Sequence, residues 1–146
     1  MLKSYTFWLS AAVLFQLLTA AIHCISFFVE PDLNNETERQ IHTLITTYRE
    51  DLGAGFAPTF SELFTALSAC FPLLCLLGAL TMGYLMFKHV EPGLMKGIIA
   101  INLGVFGVCL LVMLSLTFLL PITMTALIVF NLVLAYIFCP QSASSV

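Results

Sequence analysis

The sequence predicts an all-α protein: a four-helix transmembrane bundle with one short amphipathic interfacial helix in its first loop. Three observations carry that prediction. Of 146 residues, 60% are hydrophobic and only 9% charged, against roughly 25% charged in a water-soluble domain, so most of the surface must meet lipid. The apolar residues gather in runs long enough to cross a bilayer. The charges gather elsewhere: seven of them (Glu36, Glu38, Arg39, Arg49, Glu50, Asp51 and Glu62) fall in one stretch that Glu30 and Asp32 open.

The whole chain, residues 1–146, reads as a single transmembrane domain. Its first apolar run, about residues 5–29, holds no formally charged residue. As a helix it spans about 37 Å, enough for a hydrocarbon core of about 30 Å. It outruns the apolar part of a signal peptide, roughly 7–15 residues, and His23 before Cys24 is too large for lipoprotein processing. An uncleaved helix is expected. The second span covers about residues 60–87, with Glu62 near the interface and Pro72 predicting a kink near Cys70. From Gly97 to Cys139 no charge occurs. One helix over that run would be about 60 Å long, twice the membrane, so it must fold back. Pro121 is the expected break, because it lacks a backbone donor and disfavours helical geometry at Leu120. Spans three and four are therefore placed at about 97–118 and 122–139.

Ala79-x-x-x-Gly83 and Ala100-x-x-x-Gly104, followed by Gly107, are small-residue patterns that favour close helix approach. They are assigned to packing within the bundle ahead of a dimer seam. Lys3, Lys88 and Lys96 would lie on one side of the membrane, and Arg39 and Arg49 on the other. The denser positive side predicts both termini in the cytoplasm.

The first loop carries its own helix signal. Asn35 and Glu38 have the spacing of a capping box. Ile41, Leu44, Ile45, Tyr48 and Leu52 repeat at helical spacing, and Gly53 suits a left-handed C-cap. A helix over about 36–52 is predicted, lying on the outer end of the bundle or in the lipid interface. Its acidic character argues against anionic lipid as what holds it there.

The polar groups inside the apolar runs are the candidate site. His23, Ser26 and Glu30 share one face of span one, and Gln16 lies one heptad deeper. Glu62 opens span two, with Thr65 and Ser68 following on its side. Ionisable groups in a membrane face the bundle interior or a wet cavity and mark function. His23, Ser26, Glu30, Tyr48 and Glu62 are thus expected to form a ligand-binding site. A single histidine near a helix end also serves plain packing, and Asn102 and Asn131 are read as interhelical hydrogen-bonding residues. Cys24, Cys70, Cys75, Cys109 and Cys139 all sit in or beside apolar runs and read as packing residues. Neither they nor His23, His42, Glu30 and Glu62 show the spacing of a metal site, so no metal and no cofactor is expected. A net charge of −3 offers nucleic acid no basic footprint. No nucleotide-binding loop or nucleophile elbow is present.

His23-x-x-Ser26-Phe27-Phe28, Asn35-Glu-Thr-Glu-Arg39, Tyr48-Arg-x-Asp51-x-Gly-x-Gly55 and Glu62-Leu-Phe-x-x-Leu-Ser68 together resemble an uncharacterised family of small four-span bacterial integral membrane proteins. The resemblance covers about residues 5–87. It implies a multi-pass protein of the bacterial inner membrane and supplies no activity, substrate or catalytic residue. The function expected is an accessory subunit or a small-molecule or lipid binder, with its site at the outer end of spans one and two. Membrane lipid and a larger membrane protein or a second copy of the chain are its expected partners. The alternative is a membrane enzyme or proton-coupled carrier using His23 as acid/base, oriented by Glu62 or Glu30.

Overall fold

A computed structural model describes residues 4–140; Lys3 and the polar tail Gln141–Val146 lie outside them. Five helices follow in order: α1 (Tyr5–Ser26), α2 (Glu36–Thr47), α3 (Phe60–Phe87), α4 (Pro92–Leu116) and α5 (Leu119–Phe138). All but α2 are long and apolar enough to cross a membrane. Because hydrocarbon offers no hydrogen bonds, the helices satisfy their backbone internally.

Buried residues recur in alternating steps of three and four. The series is Leu9, Ala12, Gln16 and Thr19 on α1, Pro72, Cys75, Ala79 and Met82 on α3, and Thr125, Ile128, Leu132 and Ala135 on α5, with Ala20, Gly78 and Asn131 buried beside it. That is the heptad repeat of coiled-coil-like packing. Helix α1 lies between α3 and α5, α5 carries α4 on its far flank, and α3 and α4 meet only lightly. Helix α4 is accordingly peripheral, with just 11% of its apolar stretch buried.

The predicted limits shift for identifiable reasons. Span three begins at Pro92, not Gly97. Proline is favoured at the first helical position, where its missing N–H costs nothing. Lys96 is thereby drawn into the helix, and its Nζ donates to the Cys139 carbonyl at 3.3 Å while lying 4.9 Å from the Tyr136 ring centre. The α3–α4 turn closes with Val90 N–H on the Leu85 carbonyl and His89 N–H on the Met86 carbonyl, a Schellman pattern. His89 occupies its left-handed position at φ 48°. The α4–α5 break falls at Thr117–Phe118, ahead of Pro121. Pro121 lies instead in the first turn of α5, where its lack of an N–H is harmless. Span one ends at Ser26 rather than near residue 29, and α3 runs unbroken through Pro72.

The loop helix is shorter than its apolar stripe. It stops at Thr47, and Tyr48 is extended at ψ 124°. Residues 48–59 form a small hairpin instead. Arg49 pairs with Thr59, Glu50 N–H donates to Pro58, and Leu52 N–H donates to Phe56. Gly53 and Gly55, at φ 81° and 82°, turn this hairpin, and so Gly53 does not cap the helix. Asn35 does cap it, its Oδ1 accepting from Glu38 N–H at 2.9 Å. The Glu38 carboxylate reaches back to Asn34 N–H at 2.7 Å.

Replacing His89 with Gly removes a β-carbon from a left-handed residue, a conformation costing L-residues roughly 1–2 kcal/mol. Part of that gain is lost to the greater freedom of glycine in the unfolded chain. His89→Gly should therefore raise the thermal unfolding midpoint in detergent, whereas Lys88→Gly, one residue earlier in right-handed geometry, should lower it.

Candidate functional site

At the end of the bundle that carries α2, the heptad line of α1 continues past Thr19 to His23 and Ser26. His23 reaches across to α3, where a ring nitrogen lies 2.8 Å from Ser68 Oγ. Phe27 and Phe71 hold the imidazole edge-on, with ring centres 5.2 and 5.6 Å away. Pro72 has no N–H to give the Ser68 carbonyl, four residues earlier. The Ser68 carbonyl therefore lacks its usual helix partner, while the Ser68 hydroxyl meets the imidazole. Ser26 Oγ donates to the His23 carbonyl at 2.7 Å, and Thr19 Oγ donates to that of Phe15 at 2.7 Å.

Of these residues, His23, Ser26, Thr19 and Phe71 line a cleft of about 90 Å³. Thr19, Ile22, His23 and Ser26 line one wall, Phe71 another, and Phe118 with Leu120, Pro121 and Met124 of the first turns of α5 the third. Its surface is apolar apart from the His23, Ser26 and Thr19 groups. Displacement of the turn to Thr117–Phe118 is what brings Pro121 and Met124 to this wall.

The remaining predicted residues are placed elsewhere. Glu62 completes a capping box with Thr59: its Oε2 accepts from Thr59 N–H at 2.7 Å, and Thr59 Oγ accepts from Glu62 N–H at 3.2 Å. The same oxygen lies 3.9 Å from Arg49, whose guanidinium also donates to the Ala57 carbonyl at 2.8 Å. Both ends of that ion pair are exposed, so it contributes little. Ser68 lies six residues below Glu62, about 9 Å along the helix, and no hydrogen bond joins Glu62 to His23. Tyr48 stacks on Phe60 at 6.1 Å, beside an apolar recess formed with Leu44, Ile45 and Phe64. Glu30 is exposed in the α1–α2 linker.

The structure thus brings His23 and Ser26 together and leaves Glu30, Tyr48 and Glu62 apart from them. The Phe118–Met124 wall completes the cleft, and Ser68 bonds His23 without lining it. Ser68 was visible as a polar residue on the right side of its span, but nothing local in the sequence pairs it with His23. The Thr59-x-x-Glu62 cap was legible from its spacing alone. Among the described residues, no three His, Cys, Asp or Glu side chains converge as a metal site.

Comparisons with protein-family models, with curated proteins and with solved structures find no match. The residues themselves are the guide to function.

The His23–Ser68 bond is measurable. A double-mutant cycle with His23→Ala and Ser68→Ala, read by unfolding in detergent, should give a coupling of about 1 kcal/mol. Additive effects would mean that the two side chains do not bond.

Proposed function

We propose that the protein is a binder of a lipidic amphiphile, held at the outer end of spans one and two. The observation that carries this reading is the cleft itself. An apolar recess presents the His23 imidazole, itself bonded to Ser68, together with the Ser26 hydroxyl. Few polar groups in an apolar setting are the usual make-up of a small-molecule site. Its volume of about 90 Å³ is below the roughly 300–1,000 Å³ of a pocket that encloses a drug-sized ligand, and suits a head group or the end of a chain. The rest of such a ligand would have to lie outside, and the cleft's rim at Ile22, Phe118 and Leu120 is exposed where hydrocarbon surrounds the bundle. A wholly water-soluble ligand gains nothing from that rim.

The acid/base alternative finds less support. It needs a carboxylate to orient His23, and Glu62 serves its own helix cap while Glu30 stands exposed. The accessory-subunit reading has one specific observation in its favour. On α4, Gly97, Ala100 and Gly104 are exposed along one face, and a β-carbon at Gly97 or Gly104 would meet nothing within 4 Å. Such a groove is what another transmembrane helix fits, from a larger membrane protein or a second copy.

In this reading the protein is a multi-pass protein of a bacterial inner membrane with both termini in the cytoplasm. The side bearing α2 then faces outward. Thr46→Cys in a cysteine-free background should react with an impermeant maleimide added to intact cells; reaction only after lysis would reverse the orientation.

The binding test is native mass spectrometry of protein extracted in mild detergent. A bound lipid or amphiphile at one per chain is expected. His23→Ala should lose it, as should Met124→Trp, which fills the cleft without touching the hydrogen-bonding pair. Equal retention by both variants would rule the cleft out as the site.

A further inference from the structure

Helix α2 carries a surface that the fold leaves uncovered. It has 12 residues, none of them buried, and among the described residues it packs on no helix but α3, and there lightly. A free helix of about 12–15 residues is marginal in water, and a cap such as Asn35 adds only about 1 kcal/mol. Its apolar side needs a cover.

Ile41, Leu44 and Tyr48 recur at steps of three and four, which puts them on one face, and they are 55%, 61% and 51% exposed. Glu36, Arg39, Thr43 and Thr47 take the opposite face. Where the apolar face meets α3 there is a hollow of about 500 Å³, lined by Leu44, Ile45, Tyr48, Phe60 and Phe64 and presenting no polar atom. Phe60 stands between the other two aromatic rings, stacked on Tyr48 and 6.3 Å from Phe64, centre to centre.

Depth and charge indicate what covers this face. Helix α3 has 28 residues and is therefore about 42 Å long, some 12 Å more than the hydrocarbon core. Centred in a bilayer, it has its first turn among the head groups and Phe64 at the edge of the hydrocarbon. Phe64 and Leu67 are themselves largely exposed, so the hollow is continuous with the lipid-facing surface of a span. A helix packed against Phe60 and Phe64 lies at the depth of an interfacial amphipathic helix. From Glu30 to Glu62 the chain carries seven acids against Arg39 and Arg49. A second copy docking here would bring the same excess of charge against its like, and anionic head groups would be repelled as well. Uncharged hydrocarbon meets neither penalty.

We propose that the apolar face of α2 is a membrane-docking surface: Ile41, Leu44 and Tyr48 lie in the acyl boundary of the bilayer, and an acyl chain of a membrane lipid fills the hollow between α2 and α3. With no polar wall, the surface recognises chains and not head groups. It differs in this from the cleft at His23, and neither depends on the other.

The experiment is fluorescence quenching of the full-length protein in phosphatidylcholine bilayers. The chain has one tryptophan, Trp8, and Trp8→Phe clears the background. Leu44→Trp or Thr43→Trp then places a single reporter on the apolar or the polar face of α2. Leu44→Trp is expected to be quenched by phosphatidylcholine brominated on its chains and shielded from acrylamide in the water, and Thr43→Trp to show the reverse. Tyr48→Trp, on the wall of the hollow, is expected to follow Leu44→Trp and serves where that variant does not fold. Adding anionic lipid should leave the pattern unchanged. Equal access of acrylamide to Leu44→Trp and Thr43→Trp would put α2 in water, and shielding of Leu44→Trp from both quenchers would put a partner protein or a second copy over the face. Either result overturns the proposal, as does quenching that requires anionic lipid.

Discussion

Everything in this fold hangs on one face of α1. The line through Leu9, Ala12, Gln16 and Thr19 is the seam against which both α3 and α5 pack, while α4 reaches the core through α5. In lipid the apolar exterior provides no force that drives helices together, so association depends on close fit and on the few polar groups that hydrocarbon cannot satisfy. The heptad steps supply the fit. Gln16 places one polar residue in the seam, and such a residue discriminates between registers at some cost in stability. Sliding α1 by a turn against its neighbours would carry that carboxamide away from Gly78 and Asn102 and into a purely apolar layer.

The same seam creates the cleft. Continued by one more heptad it reaches His23 and Ser26, and there the packing changes. On α3 the opposing residues are Ser68 and Phe71 instead of a tight apolar pair, and the facing side is Phe118 with the first turns of α5. The hydroxyl at Ser68 and the proline at 72 act together, one bonding the imidazole and the other leaving a carbonyl without its helix partner. A line of ordinary bundle packing thus ends in a recess with a small polar wall. The acidic residues of the first loop work differently. Glu38 and Glu62 serve helix N-termini, where a carboxylate answers unpaired N–H groups and the helix dipole. They shape the end of the bundle and keep out of the recess.

Much of this was legible beforehand, though not evenly. Four spans, the amphipathic loop helix and the cap at Asn35 follow from hydropathy and spacing, because a helix in lipid is specified by its own composition. Limits were less legible where proline intervenes. Pro92 starts a helix and Pro121 sits inside one, and in each case its effect depends on which backbone N–H groups are already unpaired. The apolar stripe through Leu52 gave no sign of the stop at Thr47, since alternating residues of the hairpin extend it.

The sequence by itself determined the membrane, the number of crossings and the presence of polar residues at His23, Glu62 and Gln16. Tertiary structure decided which of them meet. His23 finds Ser68, 45 residues away, and Gln16 faces Gly78 and Asn102 from two other helices. The reason is physical. Spacing along a chain places a side chain on a face of its own helix. What that face meets depends on the order in which the helices pack, and four apolar helices of similar length carry little in their composition to choose among the possible orders.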